Sequence, residues 1–219
     1  MNKKILILVM IVPVTAITIY ASSSIPSETA NLDMGRTHGT ISTSMGSPFL
    51  GNPSAPITIM EFGDYQCHQC YNWYHDTNPS ISRDYVETGN VSFVFMDLAF
   101  LGNDSPKAAQ ASYCAEDQGM YWDYHNLLSN SQEPEIDESW VNSERLKAFA
   151  FSLGLDMDLF DICLDSGKYS KRVQYNVQQA HVHDVKGTPG FFIVGPDGQQ
   201  QIDGAQPFSV FKQILDPMI

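Results

Sequence analysis

The feature that most narrows what this chain can fold into is a tetrapeptide, Cys67-His68-Gln69-Cys70, set directly behind a strand-like run. Pro56 to Phe62 is apolar and β-rich, and Gly63-Asp64 marks a turn after it. A helix starting near Cys67 and running toward Gly89 should follow, kinked or split at Pro79. Residues i and i+3 of a helix share a face, with Cβ atoms about 5–6 Å apart, and a tightened turn brings them to the roughly 3.5–4.5 Å of a disulfide. At the helix start Cys67 faces free N–H groups and the positive end of the dipole. Both stabilise a thiolate and lower its pKa. Such a pair supports thiol–disulfide exchange: Cys67 attacks as the accessible thiol, and Cys70, one turn in and shielded, resolves the mixed disulfide. The alternative is half of a zinc site, but zinc wants four ligands. Cys114 and Cys163 stand alone, and although His68 and His75 could add nitrogens, no second ligand pair at zinc spacing follows.

The rest of the chain places this motif in an architecture. Val91 to Leu98 reads as a second strand, so the two strands and the helix between them form a βαβ unit with a parallel pair. Helix-like stretches cover Lys107 to Gln118 and Met120 to Leu128. Leu146, Phe149, Ala150 and Leu153 fall on one helical face. Asp156 to Asp165 is a further helix, stopped by Gly167, and Lys168 to about Asp184 a longer one. Phe191 to Val194 and Gln199 to Ile202 flank a Pro196-Asp197-Gly198 turn, and Pro207 to Leu215 closes the chain as a helix. The order implies an α/β domain, a thioredoxin fold with a helical insertion over about 100–165.

The N-terminus is different. Lys3 and Lys4 precede an uncharged run from Ile5 to Ala21, and Ser22–Ser24 follow. Residues 1–24 therefore read as a cleaved signal peptide or an N-terminal membrane anchor; the run is at the short edge of the about 17–25 residues that span a bilayer. Residues 25–46, rich in Ser, Thr, Gly and Asn, read as a flexible linker, and residues 47–219 as the folded domain. Either reading of the first segment puts the domain outside the cytoplasm, where disulfides persist, secreted or anchored to the membrane. The formal net charge is −13 with no basic run, which argues against a nucleic-acid partner.

Other residues carry a chemical reading beside a plainer one. Glu61 shares a strand face with Ile57 and Ile59; it is either a buried acid with a raised pKa, able to exchange a proton with Cys70, or an edge carboxylate in water. Gly187-Thr188-Pro189-Gly190 precedes a strand; Thr188–Pro189 is either a cis bond lying against the cysteines, with the Thr188 backbone offered to an extended substrate, or an ordinary turn. His68 either stabilises the Cys67 thiolate as an imidazolium or only shares the field at a solvent-facing helix start. Tyr65, Tyr71, Trp73 and Tyr74 cluster near the motif, some as a collar for substrate, most as core. His181 and His183, two apart, do not share a helical face and read as surface. Asn90-Val91-Ser92 and Asn103-Asp104-Ser105 fit a glycosylation sequon.

Several motifs in order carry a family resemblance. They are Leu50-Gly51-Asn52-Pro53-Ser54-Ala55-Pro56, Glu61-Phe62-Gly63-Asp64-Tyr65-Gln66-Cys67, Gln118-Gly119-Met120-Tyr121-Trp122-Asp123-Tyr124-His125, Cys163-Leu164-Asp165-Ser166-Gly167 and Gly187-Thr188-Pro189. Over roughly residues 48–216 the chain resembles the DsbA-like thioredoxin family of exported disulfide oxidoreductases. The resemblance implies Cys67 as nucleophile, Cys70 as resolving thiol, Glu61 as buried acid and Pro189 as cis-proline. It implies no cofactor. It implies unfolded or reduced exported proteins as substrates and a membrane redox partner for re-oxidation. The pair between the cysteines departs from the family: His68 stands where Pro is common, and Gln69 where the best-known oxidases have His. That pair tunes thiolate stability, so the redox poise is this chain's own. Gly190 removes a side chain next to Pro189. An even cysteine count leaves no odd thiol if Cys114 and Cys163 pair as a structural disulfide, a pair related members carry; otherwise they are two separate buried thiols. A monomer is expected, since no dimerisation segment is evident. The competing functions are an isomerase or reductase, and a copper-binding module using the same two cysteines.

Overall fold

The computed structural model describes residues 41–132 and 140–219. The expected signal or anchor, and most of the expected linker, lie outside these residues. β1 (Ile57–Gly63) pairs in parallel with β2 (Val91–Asp97) and antiparallel with β3 (Gly190–Gly195); β3 turns back into β4 (Gly198–Asp203). The sheet order is β2-β1-β3-β4, so β1, the strand that leads into Cys67, is central. Burial explains its composition. Ile57 and Ile59 face the larger core with Trp73, Phe93, Phe95, Phe191 and Phe211, while Met60 and Phe62 face the opposite core with Val94, Met96, Ala180 and Phe192. A strand covered on both faces has no need of polar alternation.

The segment expected as one long helix is divided. α1 (His68–Asp76) ends at Thr77, α2 (Asn78–Ile81) carries Pro79 in its first turn, and a π turn completes the stretch to Val86. A proline is tolerated at a helix start because its missing N–H needs no partner there. The helical insertion comprises α3 (Ser105–Glu116), α4 (Tyr121–Asn130), α5 (Ser143–Ser152) and α6 (Met157–Ser166). Gly167 closes α6 in the left-handed region at φ 66°, where glycine meets no Cβ penalty. α7 (Ser170–Val182) returns the chain to the sheet, and α8 (Phe208–Leu215) covers the core beside β3 through Phe211 and Leu215.

Two expectations change. The packed domain begins before residue 47. Ile41 is buried in the second core, Ser47 N–H bonds to Phe95 O, and Leu50 bridges to Phe93. Asn176 Nδ2 donates to Met45 O at 2.8 Å, and Arg172 donates to the carbonyls of Met45 and Gly46. Side-chain amide and guanidinium groups thus hold the carbonyls of a segment rich in Ser and Thr. His183 is also not a surface residue: it is buried, its ring edge-on to Phe192. It is the C-cap of α7, where its N–H donates to Gln179 O.

Candidate active site

β1 and β2 run parallel and β3 runs against them, so the C-terminal ends of β1 and β2 meet the start of β3 at one edge. Cys67 and Thr188-Pro189 are both placed there. Cys67 is the N-cap of α1, with extended backbone (φ −85°, ψ 113°), and its N–H donates to Asp64 O at 2.9 Å. Thr188–Pro189 is a cis bond, and the Cys67 thiol donates to Thr188 O at 3.2 Å.

The two thiols are unbonded. Cys67 is 5% exposed and Cys70 8%, so both side chains are largely covered, but Cys70 is enclosed on all sides and Cys67 only in part. A second contrast lies in their partners. A hydrogen bond from the Cys70 thiol brings the Cys67 pKa down from 9.0 to about 6, helped by the Thr188 side chain and by the N–H groups of Cys70 and Gln69 at the helix start; burial opposes them. Cys70 is pushed well above 9.0, first by burial, then by its hydrogen bond to Cys67 and the charge of Glu61.

Glu61 is 4% exposed. Burial, with the Cys67 charge second, raises its carboxyl well above the ordinary value. A narrow cavity touches Glu61, Cys70, Tyr71, Tyr74 and His125, with about 10 Å³ for the centre of a water molecule, room for roughly one. Gly63 is required beside it: a Cβ there would come within 2.4 Å of the Phe95 ring and 3.2 Å of Glu61 Oε1.

His68 is exposed, and its ring stacks parallel to Tyr71 with centroids 6.0 Å apart. Tyr65 and Trp73 are core residues, whereas Tyr71 and Tyr74 are half-buried at the cavity wall. Gly190 is not an open spot in a groove: a Cβ there would meet Val185 Cγ1 at 2.8 Å, inside the protein. Cys114 and Cys163 are joined, with Cα atoms 5.8 Å apart, within the main core between α3 and α6. Among the described residues no group of three or more His, Cys, Asp or Glu is arranged to hold a metal ion.

Sequence reasoning missed two supporting residues. Asp64 is 2% exposed, and its carboxylate accepts from the N–H groups of Gln66, Phe100 and Leu101 and from the Ser105 hydroxyl. It therefore fixes the turn that delivers Cys67. His125 is buried, and its Nδ1 shares a hydrogen bond of 2.9 Å with the Tyr65 hydroxyl; burial lowers its pKa to about 3, which keeps it neutral. The Gly-Asp pair signalled a turn but not a buried acid, and His125 carries no spacing signal of its own.

Comparison with known proteins gives a consistent picture. A family model described as thioredoxin matches residues 43–217. Disulfide bond formation protein D of Bacillus subtilis is 31% identical over 151 residues, covering 68% of each chain. The crystal structure of oxidised BdbD from Bacillus subtilis is 27% identical with a TM-score of 0.73, covering 81% of this chain and 94% of that one. Wolbachia pipientis alpha-DsbA1, 24% identical with a TM-score of 0.68 over 78% of this chain and 89% of that one, shares the fold.

Proposed function

This chain belongs to the thioredoxin family and, within it, to the DsbA-like thiol–disulfide oxidoreductases, and from that premise we propose that it works outside the cytoplasm and introduces disulfides into exported proteins. The observation that carries the direction is the Cys67 pKa of about 6. A stabilised thiolate favours the reduced form of the protein, which supports electron flow from substrate thiols onto the Cys67–Cys70 pair. The name of the Bacillus subtilis relative, disulfide bond formation protein D, agrees with that direction.

In the proposed cycle a substrate thiolate attacks the Cys67 sulfur of the Cys67–Cys70 disulfide. The Cys67–Cys70 bond breaks, and Cys70 leaves with the electron pair. Glu61, whose burial favours its protonated form, supplies the proton that the Cys70 thiolate needs, and the small cavity beside it has room for about one water to return that proton. A second substrate thiolate then attacks the substrate sulfur bound to Cys67. Cys67 leaves as a thiolate, stabilised at the helix start, and the substrate departs with its new disulfide. Thr188 presents its backbone beside Cys67 to the substrate strand. A membrane redox partner re-oxidises the dithiol. The basic start and apolar run over residues 1–24 act as export signal or anchor.

The test is the reduction potential of the Cys67–Cys70 pair, equilibrated against glutathione and read by alkylation. The expected value is less negative than the about −270 mV of thioredoxin, near or above the about −180 mV of protein disulfide isomerase. A value below that of thioredoxin would make the protein a reductase and overturn the direction.

A further inference from the structure

Glu61 has no polar partner directly across the sheet. Its cross-strand neighbours are Phe95 on β2 and Phe191 on β3, and neither side chain can hydrogen-bond a carboxyl. A buried carboxyl that exchanges a proton needs a hydrogen-bonding route to water, which an apolar wall does not provide. The route has to come from the helices packed on the sheet, and the cavity beside Glu61 marks it. One wall of that cavity is Cys70, Tyr71 and Tyr74 of α1; another is His125 and Ser129 of α4, with Gln132 just beyond the helix.

His125 and Ser129 stand at i and i+4, so they share one face of α4. Gln132 continues that line one residue past the C-cap Ser131. Exposure rises along it, from 4% at His125 to 9% at Ser129, and Gln132 is half-buried. Gln132 Nε2 is itself buried and has no hydrogen-bond partner among the described residues, so a water in this line would satisfy it. The His125 ring is fixed in place. The Tyr65 hydroxyl engages its Nδ1 at 2.9 Å, and Phe95 and Trp122 pack edge-on to it with centroids 4.8 and 5.1 Å away. The nitrogen left for the cavity is Nε2. Burial keeps the ring neutral, so it can hold a water without storing a proton.

We propose that His125 is a positioning residue of the exchange reaction, its Nε2 holding a cavity water against the Glu61 carboxyl while Ser129 and Gln132 lead from that water toward solvent. The helical insertion thereby supplies a proton path that the strands beside Glu61 do not. The inference rests on the reading of Glu61 as the acid that serves Cys70. As the Cys67–Cys70 bond breaks, the Cys70 sulfur keeps the electron pair and takes the Glu61 proton. The Glu61 carboxylate takes a proton from the water, and the water regains one from solvent along the Ser129 side. His125 bonds the water throughout and ends unchanged, so the net step consumes one solvent proton.

The test follows reduction of the Cys67–Cys70 disulfide by a thiol peptide in a single turnover of the intact protein. Two replacements divide the functions of the ring. Glutamine reaches about as far as Nε2 and keeps the water contact; asparagine reaches only as far as Nδ1 and keeps the Tyr65 contact. His125→Asn should slow reduction by roughly ten-fold, a part of the about 10²-fold expected of the acid itself. His125→Gln should recover most of that loss. Ser129→Val, which leaves the Tyr65–His125 bond in place, should slow reduction several-fold. In a Glu61→Gln background none of these changes should slow it further, since the path then serves no acid. Rates are taken per reducible disulfide, so a smaller folded fraction cancels. Losses of equal size in both backgrounds, or in His125→Asn and His125→Gln alike, would make the residue structural and overturn the proposal. A parental rate in either His125→Asn or Ser129→Val would also overturn it. Should the His125 variants fail to fold, Ser129→Val in the two backgrounds decides alone. A parental rate in Glu61→Gln would instead overturn the reading of Glu61 on which the proposal rests.

Discussion

Cys67 and Cys70 are three residues apart and stand as thiols, whereas Cys114 and Cys163 are 49 residues apart and are joined. Both pairs are buried, so burial alone does not make a pair reactive. Around the first pair each sulfur has a different partner set. Cys67 has the helix start, the Cys70 thiol and Thr188, all favouring a thiolate; Cys70 has Glu61 and a covered site, both disfavouring one. The second pair lies in the main apolar core, where Phe160 and Leu164 of α6 pack with Ala111 and Ala115 of α3. An exchange site needs an asymmetry in charge stability between its two sulfurs, and a structural bond needs none.

Removing one sulfur from each pair breaks the comparison most directly. Cys67→Ser should lower exchange with a thiol peptide by a factor of at least about 10³, the scale seen when a nucleophile is removed. Cys70→Ser cannot form the Cys67–Cys70 disulfide, but its Cys67 thiolate should still attack a disulfide-bonded peptide, releasing one peptide thiol, and with no resolving thiol the mixed disulfide should accumulate, visible as reducible higher-mass bands on gels. Retention of a tenth of the rate by Cys67→Ser would reassign the nucleophile. The Cys114→Ala/Cys163→Ala double variant should lose stability instead, by about 4 kcal/mol from the loop entropy of about 50 residues. Exchange at Cys67 should persist in the molecules that fold. Denaturant midpoints read the first effect and peptide oxidation the second; an unchanged midpoint would deny the second bond its structural role.

Glu61→Gln sharpens what sets the asymmetry. Removing an acid–base partner from the step in which Cys70 gains or loses a proton should slow that step by on the order of 10² near neutral pH. Stability should change in the opposite sense. The native pKa of Glu61 lies above its unfolded value, so the native state holds the extra proton between the two. Stability from this group is full below the ordinary glutamate range and is lost as pH rises through the raised native pKa. Glutamine does not titrate, so the variant should gain stability relative to the parent as pH is raised above the ordinary glutamate range, about 4. Parallel curves of unfolding free energy against pH would show that Glu61 ionises freely.

The strands, the helix order and the reactive cysteines were legible because each rests on a local rule: apolar runs for β1 and β2, 3.6-residue periodicity for α5, and C-x-x-C spacing for the site. The even cysteine count and the family likeness pointed to Cys114 and Cys163, but nothing local in the sequence shows that α3 and α6 bring them together. What was illegible depends on contacts distant in sequence. Ile41 to Gly46 looked like linker because it is rich in Ser and Thr and shows no apolar periodicity, yet Asn176 and Arg172 hold the carbonyls of Met45 and Gly46 from α7. Asp64 looked like a turn residue, and its burial depends on the loop from Phe100 to Ser105 closing over it. His183 looked exposed because helical spacing says nothing about the chain beyond the C-cap.

The smallest effect tests whether the asymmetry belongs to the backbone or to a neighbouring charge. His68 is the residue after Cys67, and an imidazolium there could by itself favour a thiolate. Its ring, however, is exposed and lies parallel to Tyr71. Side chains at i and i+1 of a helix diverge, and charges in water are screened by salt. The causes acting on Cys67 are instead the Cys70 thiol, Thr188 and the N–H groups of Cys70 and Gln69. None of these is removed by His68→Ala. The midpoint of the pH profile for Cys67 alkylation should therefore move by less than about 0.5, the scale of a solvated charge pair. Raising the ionic strength should move it no further in the variant than in the parent. A rise of the midpoint by one or more, abolished by salt in the parent, would place the source of thiolate stability in the His68 charge. The difference between the two cysteine pairs would then rest on one exposed side chain rather than on the start of α1.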